Sequence, residues 1–397
     1  MHILEIPSFF PPYGGLFCLE QSRALAACGH TVRIVANVNL SLKQTPWHYL
    51  AAHTRSRVLQ MDGIEVVRRE MRGVPRCLYY NSRKWVHTVM DMVNRYVAQY
   101  GCPDIIHAHC CKWAGYAAMR VCEELPVPYV ITEHLPYDIL SRELGPEGGE
   151  AWQVPYLKRA YKQAALVLPV AGELVESIAS LVGTDYNWME VSNTIDVDFF
   201  AYKERRLMEN QPYTICCVAD FVPRKGYDVL LPMVKRFMML SGIPVRLLIA
   251  GKGTQSKAMK ALVRQNGMEA CTELHGKVDK YGVRDLLYRS HCFALATRSE
   301  VQPLVLLEAM STGIPVVSTE VIPASERIRG GCFIGKTDDV ESLAQQLYAA
   351  YQGGWDQGKA LSQAIVALAS PQVVGQELSM LFRQLVEQHR RNLSNRQ

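Results

Sequence analysis

Two glutamates, Glu300 and Glu308, have the residue type and spacing best suited to ligand chemistry in this chain. They flank a largely apolar stretch, 301–307, which is followed by a small-residue turn at 313–315. The pattern predicts a loop that enters a helix near Pro303 and a helix that ends at position 313. Backbone N–H groups at such a helix start attract phosphate, whereas carboxylates accept hydrogen bonds from sugar hydroxyls. Phosphate and sugar diols together indicate a nucleotide-sugar.

Two adjacent cations, Arg224 and Lys225, precede Gly226 between a predicted strand and a predicted helix. Arginine and lysine side chains can pair with a diphosphate, and the glycine permits a close approach of the backbone. Asp220 lies in the same segment and carries the same sign of charge as a diphosphate. The alternative for such a run of charges is a solvated face.

The glutamate pair resembles that of the retaining glycosyltransferases of family 4 (glycosyl transferases group 1). The resemblance implies that Glu300 contacts the donor sugar and Glu308 the nucleotide ribose. Backbone at Pro303 and Leu304 would then contact the sugar and phosphate. The family usually has an aromatic residue and a glycine where this chain has Gln302 and Pro303.

The cationic segment also resembles the family, which implies that Lys225 binds phosphate. The family's usual arginine is replaced by Asp220, and Arg224 is the residue that could compensate. Gly251 and Val278 follow two further predicted strands, and the resemblance places both near the nucleotide. The glycine pattern around 251–253 lacks the third glycine of a dinucleotide fingerprint, which disfavours a nicotinamide enzyme.

The loop before the first predicted helix contains Tyr13, Gly14 and Gly15. Adjacent glycines there let backbone approach a ligand at the helix start. The loop resembles the family's Gly-Gly loop, which closes over the donor phosphates and the acceptor. We therefore expect Gly14 and Gly15 at the donor and Tyr13 at the acceptor.

Histidines end two predicted strands, at the edge where doubly wound sheets bind ligands. His134 matches the family's strand-end histidine, which approaches the sugar or the acceptor, and Glu133 beside it could orient the ring or act on its own. His107 and His109, with two cysteines at 110 and 111, could suggest zinc. Adjacent cysteines on a strand point to opposite faces, so four ligands would not converge, and we expect no metal. His109 is a candidate acceptor contact.

Residues 51–100 are basic and aromatic, although the whole chain has a formal charge of only +5. A segment such as 68–84 could rest on anionic lipid or bind an acidic acceptor, with Arg72 and Arg76 as acceptor contacts. The alternative is a solvated loop and helix face. The mild charge does not indicate nucleic acid, because no basic helix is interleaved with aromatic residues.

The elements that position these residues alternate between strands and helices. Strands are predicted at 2–6, 31–35, 129–132, 213–218 and 245–250, with helices at 16–28 and 228–240. The alternation restarts near 213, which predicts an α/β protein of two doubly wound, Rossmann-like domains facing a cleft, the GT-B arrangement. The predicted domains are 1–192 for the acceptor, 193–370 for the nucleotide-sugar, and a terminal helix, 371–397, that returns to the first domain. The Asp196 and Asp198 pair falls in the linker and is not expected to bind metal.

The composition fits a cytosolic protein. The twelve cysteines have no disulfide-framework spacing, the start lacks a signal-peptide pattern, and no run of 18 apolar residues occurs. We expect a cytoplasmic enzyme that can associate with the inner face of the membrane.

The sequence therefore predicts a metal-independent, retaining glycosyltransferase without a cofactor, using a UDP- or GDP-sugar donor. The acceptor expected from the family is a hydroxyl of a glycan or lipid-linked intermediate in bacterial surface polysaccharide or lipopolysaccharide synthesis. Two alternatives remain: a catalytically silent partner subunit that binds sugar nucleotide, and an epimerase or hydrolase of the same fold.

Overall fold

The computed structural model describes residues 1–42, 46–135, 144, 150–205, 211–353 and 357–395. These form two compact units, one of Met1–Thr194 with Pro371–Gln397 and the other of Ile195–Ser370. Each unit has its own parallel sheet and its own core. All twelve cysteines are free thiols.

The first unit has a seven-stranded sheet in the order β3-β4-β2-β1-β5-β6-β7. Every pairing is parallel except β3 with β4. Its strands are β1 His2–Pro7, β2 Thr31–Leu40, β3 Arg57–Met61, β4 Ile64–Arg72, β5 Ile105–His109, β6 Tyr129–Glu133 and β7 Leu166–Pro169. Its helices are α1 Leu16–Ala27, α2 Pro46–Leu50, α3 Leu78–Tyr100, α4 Tyr116–Cys122, α5 Val154–Gln163 and α6 Glu173–Val182.

The second unit has a six-stranded, all-parallel sheet in the order β10-β9-β8-β11-β12-β13. Its strands are β8 Tyr213–Val218, β9 Val245–Ala250, β10 Thr272–Gly276, β11 Cys292–Leu295, β12 Val316–Thr319 and β13 Cys332–Gly335. Its helices are α7 Tyr227–Ser241, α8 Lys257–Gln265, α9 Lys280–Arg289, α10 Leu304–Ser311, α11 Val340–Gly353 and α12 Gly358–Ala369. Parallel strands covered by helices read as continuous apolar runs, which is why β8 and β9 have the predicted bounds.

The last helix, α13 Pro371–Ser394, packs on the first unit. A Cβ at Gly375 would lie 2.7 Å from the carbonyl oxygen of Ala24, so the glycine lets α13 cross α1 closely. Leu378 and Phe382 enter the core, and Ser379 Oγ lies 2.7 Å from His30 Nε2. Apolar burial and one buried polar contact thus hold the chain end to the first sheet.

Helices α12 and α13 together form Gly358–Ser394, the one stretch of the described residues that is long and apolar enough to cross a membrane. Half of its most apolar window is buried inside the fold. The two helices belong to different units, and each places apolar side chains in the core of its own unit. The apolarity of the stretch is therefore accounted for by packing.

Candidate functional site

In the second unit, the loop after β8 brings the predicted cations to the carboxyl edge of the sheet. Pro223–Lys225 form a single short turn, and Gly226 then begins α7 with a φ of +64°. A Cβ at Gly226 would lie 1.8 Å from the carbonyl oxygen of Ala296, just after β11. Glycine is required on both grounds, and it lets the loop after β8 lie directly against the segment after β11.

Glu300 is held in that segment by the two cations. Lys225 Nζ donates to Glu300 Oε1, and Arg224 Nη1 lies 3.5 Å from Glu300 Oε2. Thr297 Oγ1 donates to Glu300 Oε1 at 3.1 Å. The side chains of Glu300 and Lys225 are 7% and 13% exposed, so the pair is largely shielded from water. Two residues predicted for different parts of the donor, phosphate and sugar, are thus in direct contact.

Arg298 is a functional candidate that the sequence reasoning missed. Its guanidinium donates to both carboxylate oxygens of Asp228 at 3.0 and 2.7 Å, to Asp338 at 2.7 Å and to the carbonyl of Pro223 at 2.6 Å. These bonds connect the Glu300 segment to the loop that carries Lys225. No periodicity or spacing in the sequence indicates this contact, because the partners are 40 to 75 residues away.

Helix α10 begins at Leu304, with Pro303 as its N-cap, and its C-cap is Thr312, close to the predicted end. Proline offers no side-chain acceptor, so the first backbone N–H groups of α10 have no side-chain cap from Pro303. Glu308 is half-buried, one turn further along the helix. Gln302, which stands where the family usually has an aromatic residue, is 8% exposed.

Asp220 has a structural partner. Its Oδ1 accepts the backbone N–H of Lys252 at 2.8 Å. Gly251 has a φ of +140°, and a Cβ there would lie 2.0 Å from the carbonyl oxygen of Ala219. This hydrogen bond holds the loop after β9 against the loop after β8. It also stabilises the negative charge of the Asp220 carboxylate.

The loop after β10 joins the same edge. Gly251 N–H donates to the carbonyl of Gly276 at 2.7 Å, and Gly276 has a φ of +70°. Val278 packs against Gly282, where a Cβ would lie 2.8 Å from the Val278 Cβ. The loops carrying Lys225, Gly251 and Val278 are therefore neighbours at one edge of the second sheet.

In the first unit, the glycine loop leads into α1 as predicted. Gly14 and Gly15 have φ angles of +99° and +75°, and a Cβ at Gly15 would lie 1.9 Å from the carbonyl oxygen of Phe9. Only glycine fits that turn. The Tyr13 hydroxyl contacts His48 Nδ1, so α2 and the glycine loop are linked.

A buried chain of polar side chains lies across the strand ends of the first sheet. Glu5 Oε2 lies 2.9 Å from His107 Nδ1 and 2.8 Å from His109 Nε2. His107 Nε2 lies 2.6 Å from Thr132 Oγ1, and His109 Nδ1 lies 3.2 Å from His134 Nε2. Strand register explains this, because Glu5 pairs with His107 on β1 and β5. Sequence reasoning missed Glu5, which lies within an apolar strand.

The hydrogen bond between His109 and Glu5 fixes part of the proton arrangement in this chain. If His109 Nε2 donates to Glu5, then His109 Nδ1 accepts from His134 Nε2. His107 Nδ1 lies 2.9 Å from the same Glu5 oxygen without hydrogen-bond geometry. Burial raises the pKa of Glu5, but the interactions with His107 and His109 outweigh it and lower the pKa to about 2.

Burial lowers the pKa of His109 to about 4, with His107 adding to the effect and Glu5 opposing it. Burial, followed by the neighbouring histidines, also lowers the pKa of His134 well below its usual range. The His134 ring stacks on Phe17 with centroids 3.7 Å apart. A neutral His134 is thus held firmly by its neighbours.

The predicted position of two side chains requires correction. Glu133 does not orient the His134 ring, because its carboxylate accepts from Tyr161 Oη at 2.6 Å, Cys111 N–H at 3.0 Å and the backbone N–H groups of residues 134 and 135. His109 was predicted as an acceptor contact, but its side chain is fully buried. The His109 side chain is connected to the strand edge through its contact with His134.

The ligand atoms of Glu5, His107 and His109 all lie within 4.8 Å of one another, so this cluster, unlike the cysteines considered from sequence, could hold a metal ion. Cys110 and Cys111 are buried and do not belong to it. In the present geometry His109 Nε2 is hydrogen-bonded to Glu5 Oε2, and His107 Nδ1 lies 2.9 Å from the same oxygen.

The predicted acceptor arginines lie on the outside of the first unit. Arg72 donates to the carbonyls of Tyr49 and Leu50, both at 2.8 Å, and so ties α2 to the end of β4. Arg76 is exposed in a turn with a φ of +61°. Arg72 therefore has a structural partner, and Arg76 faces solvent.

Comparison with known proteins gives consistent results. The family model described as Glycosyltransferase Family 4 matches residues 14–199, and that described as Glycosyl transferases group 1 matches residues 198–364. The chain is 27% identical over 353 residues, 81% of each chain, to TuaC of Bacillus subtilis, a glycosyltransferase proposed to act in teichuronic acid biosynthesis.

Solved structures show the same fold. Sucrose-phosphate synthase from Thermosynechococcus elongatus superposes with a TM-score of 0.75 at 16% identity, covering 97% of this chain and 99% of that one. HepE of Anabaena, solved in complex with UDP and glucose, gives a TM-score of 0.69 at 15% identity, covering 97% and 100%.

The two matched regions together run from residue 14 to residue 364, and the chain belongs to the glycosyltransferases of family 4, group 1. The predicted GT-B fold class is confirmed, with two Rossmann-like units and glycosyltransferase structural relatives. The protein is a glycosyltransferase.

Proposed function

We propose that this glycosyltransferase transfers a sugar, with retention of configuration and without a metal, from a nucleotide-diphosphate sugar to a hydroxyl of a surface glycan or its lipid-linked precursor. The observation that carries the proposal is the convergence of Lys225 and Arg224 on Glu300 at the carboxyl edge of the second sheet. In the free protein the cations neutralise Glu300. A bound diphosphate would take over Lys225 and Arg224 and leave Glu300 to accept from sugar hydroxyls.

On the donor side, charge develops on the departing diphosphate. Lys225, Arg224 and the first N–H groups of α10 are the groups that would stabilise it. Glu308 would accept from the ribose hydroxyls. The UDP bound to the structurally similar HepE supports a uridine nucleotide, and GDP is the alternative.

No side chain of the described residues is assigned as a nucleophile. We expect the leaving phosphate to take the proton of the acceptor hydroxyl as the new bond forms on the face that the old one leaves. His134, held neutral by burial and by the neighbouring histidines, would hydrogen-bond a hydroxyl of the sugar or acceptor.

On the acceptor side, the link of TuaC with teichuronic acid supports a surface polysaccharide. A peripheral contact with the cytoplasmic face of the membrane is expected through residues 68–84, where Leu78, Tyr79 and Tyr80 are 42%, 48% and 53% exposed beside Arg76. Exposed apolar and basic side chains together favour an anionic lipid surface.

The experiment is thermal stabilisation by UDP, GDP, ADP, CMP and NAD, with Glu308→Ala as the test variant. A ligand at 100 times its dissociation constant adds about 2.7 kcal/mol, which is measurable. We expect one diphosphate to stabilise the protein and Glu308→Ala to weaken that effect. Stabilisation by NAD alone, or by none of the five, would contradict a donor site.

The products formed from a radiolabelled sugar donor distinguish transfer from the alternative functions. Radiolabelled sugar recovered in a glycan or lipid fraction supports transfer. Free sugar or isomerised donor without acceptor would indicate a hydrolase or epimerase. Donor binding with transfer only after a second protein is added would indicate a silent partner subunit, for which the residues at 220, 302 and 303 are the motivation.

A further inference from the structure

A wide groove lies on the helical layer of the first unit, away from the predicted acceptor residues. It encloses about 1090 Å³ and is lined by residues of α3, α4, α5 and the segments before α4 and α5. The residues that matter here are Tyr79, Arg83, Lys84, Trp113, Trp152 and Tyr156. We call this set the aromatic groove. None of Tyr13, Arg72, Arg76 and His109 lines it.

The walls of the aromatic groove are aromatic side chains that pack against one another. Trp113 and Trp152 stack with centroids 5.8 Å apart and 25° between planes. Tyr79 meets Trp152 edge-on at 4.9 Å, and Tyr156 meets it at 6.3 Å. Such preorganised rings lose little conformational entropy when a ligand packs on them.

Two cations at the groove have no carboxylate partner among the described side chains. The Arg83 guanidinium lies over the Tyr79 ring at 5.7 Å, and Lys84 Nζ lies over the Tyr80 ring at the same distance. Asp91 contacts Arg69 and Arg95, Arg120 contacts Glu123, and Glu124 also lines the groove. Three lining cations, Arg83, Lys84 and Arg120, outnumber the two lining carboxylates, so the net charge of the lining is +1. The groove therefore offers positive charge to a ligand.

We propose that the aromatic groove binds an acidic oligosaccharide, the growing glycan of the acceptor. This rests on the proposed function, since it names the acceptor class of the same enzyme. Aromatic faces pack against the apolar faces of sugar rings, while Arg83 and Lys84 pair with carboxylates or phosphates of the chain. The volume suits several sugar units. A flat lipid surface fits the groove itself less well, because Trp113, Trp152 and Tyr156 line a concavity. The membrane contact proposed above would then rest on Arg76 and Leu78, which do not line it.

The test measures binding of tetragalacturonic acid to the full-length protein by calorimetry and by the change in tryptophan fluorescence. Maltotetraose is the neutral probe, and vesicles of phosphatidylglycerol and phosphatidylcholine are the lipid probe. We expect saturable binding of the acidic tetrasaccharide. Trp152→Ala should weaken it at least tenfold, and Arg83→Gln about fivefold together with a smaller salt dependence.

Trp47→Ala is the matched control, because Trp47 is 81% exposed and lies outside the groove. It should leave oligosaccharide affinity unchanged. Arg83→Gln keeps the test valid if Trp152→Ala misfolds, because Arg83 is exposed.

Three results would overturn the proposal: no binding of either oligosaccharide, equal affinity for the neutral and acidic probes, or binding to vesicles alone. UDP stabilisation is measured on the same samples. If UDP still stabilises the protein while tetragalacturonic acid does not bind, only the groove assignment fails. If UDP has no effect, the donor proposal fails independently.

Discussion

Lys225 and Glu300 form an ion pair at the carboxyl edge of the second sheet, although 75 residues separate them in the chain. The pair exists because β8 and β11 are neighbours in that sheet, so the segments that follow them meet. Gly226 removes the side chain that would otherwise separate the two segments. The contact therefore holds a cation and a carboxylate side by side at this edge of the sheet.

Lys225→Met should weaken UDP binding on the order of 10- to 100-fold. A charge-assisted hydrogen bond contributes about 1.5 to 3 kcal/mol, and each 1.4 kcal/mol is a factor of ten in affinity. Calorimetric titration of each variant with UDP measures the dissociation constant. Lys235→Met is the control, because Lys235 lies within α7 and its Nζ donates to the Asn266 carbonyl at 3.0 Å rather than to Glu300. An unchanged dissociation constant in Lys225→Met would refute the phosphate role.

Gly226→Ala should destabilise the second unit more than Gly242→Ala does. Both glycines have nearly the same φ, +64° and +66°, so both alanines carry about 1 to 2 kcal/mol of left-handed strain. Only at position 226 would the Cβ collide, at 1.8 Å from the Ala296 oxygen, whereas nothing lies within 4 Å at 242. Urea unfolding followed by circular dichroism compares them. Equal losses of stability would show that the close approach at 226 relaxes without cost.

Much of the fold could be predicted from the sequence because buried parallel strands are continuous apolar runs. The strands predicted at 213–218 and 245–250 have those bounds in the structure. Contacts set by strand order could not be predicted. Arg298 contacts Asp228 and Asp338 because the loops after several strands converge at one edge of the sheet. Glu5 could not be recognised as a site residue from the sequence, because only the strand register places it beside His107. Spacing along the chain carries no information about which strand lies next to which.

Arg298→Lys should weaken UDP binding several-fold with a modest loss of stability. An ammonium cannot reproduce the guanidinium's bonds to Asp228, Asp338 and the Pro223 carbonyl, so the loop carrying Lys225 would loosen. The stability loss should be about 1 kcal/mol or less, because the Arg298 side chain is 29% exposed.

Arg236→Lys is the matched control for Arg298→Lys. Arg236 makes a similar two-nitrogen contact with Glu341, at 2.7 and 3.3 Å, but does so away from the Glu300 segment. It should show a comparable small change in melting temperature and no change in UDP affinity. If both variants bind UDP equally well, Arg298 has no part in positioning the site.

The first unit should lose stability as the pH falls from about 6.5 towards 4. Burial holds the pKa of His109 at about 4, against about 6.5 when unfolded, so the unfolded chain binds the extra proton first. Stability is therefore present above the unfolded pKa and declines through this window. One such group accounts for about 2 kcal/mol between pH 7 and pH 5, and His134 shifts in the same direction.

Removing His109 should flatten this pH dependence. In His109→Gln the slope of the unfolding free energy against pH, measured from pH 7 to pH 5, should fall by the contribution of about one bound proton. This expectation holds whatever the variant does to stability at pH 7. Tryptophan fluorescence is a suitable probe, because Trp47, Trp85, Trp113, Trp152 and Trp188, five of the six tryptophans, belong to the first unit. The exposed His53 provides the control variant, His53→Gln, which should keep the wild-type slope. A wild-type slope in His109→Gln would mean that burial does not hold His109 neutral, and the hydrogen bond from His134 Nε2 to His109 Nδ1 would have to be abandoned.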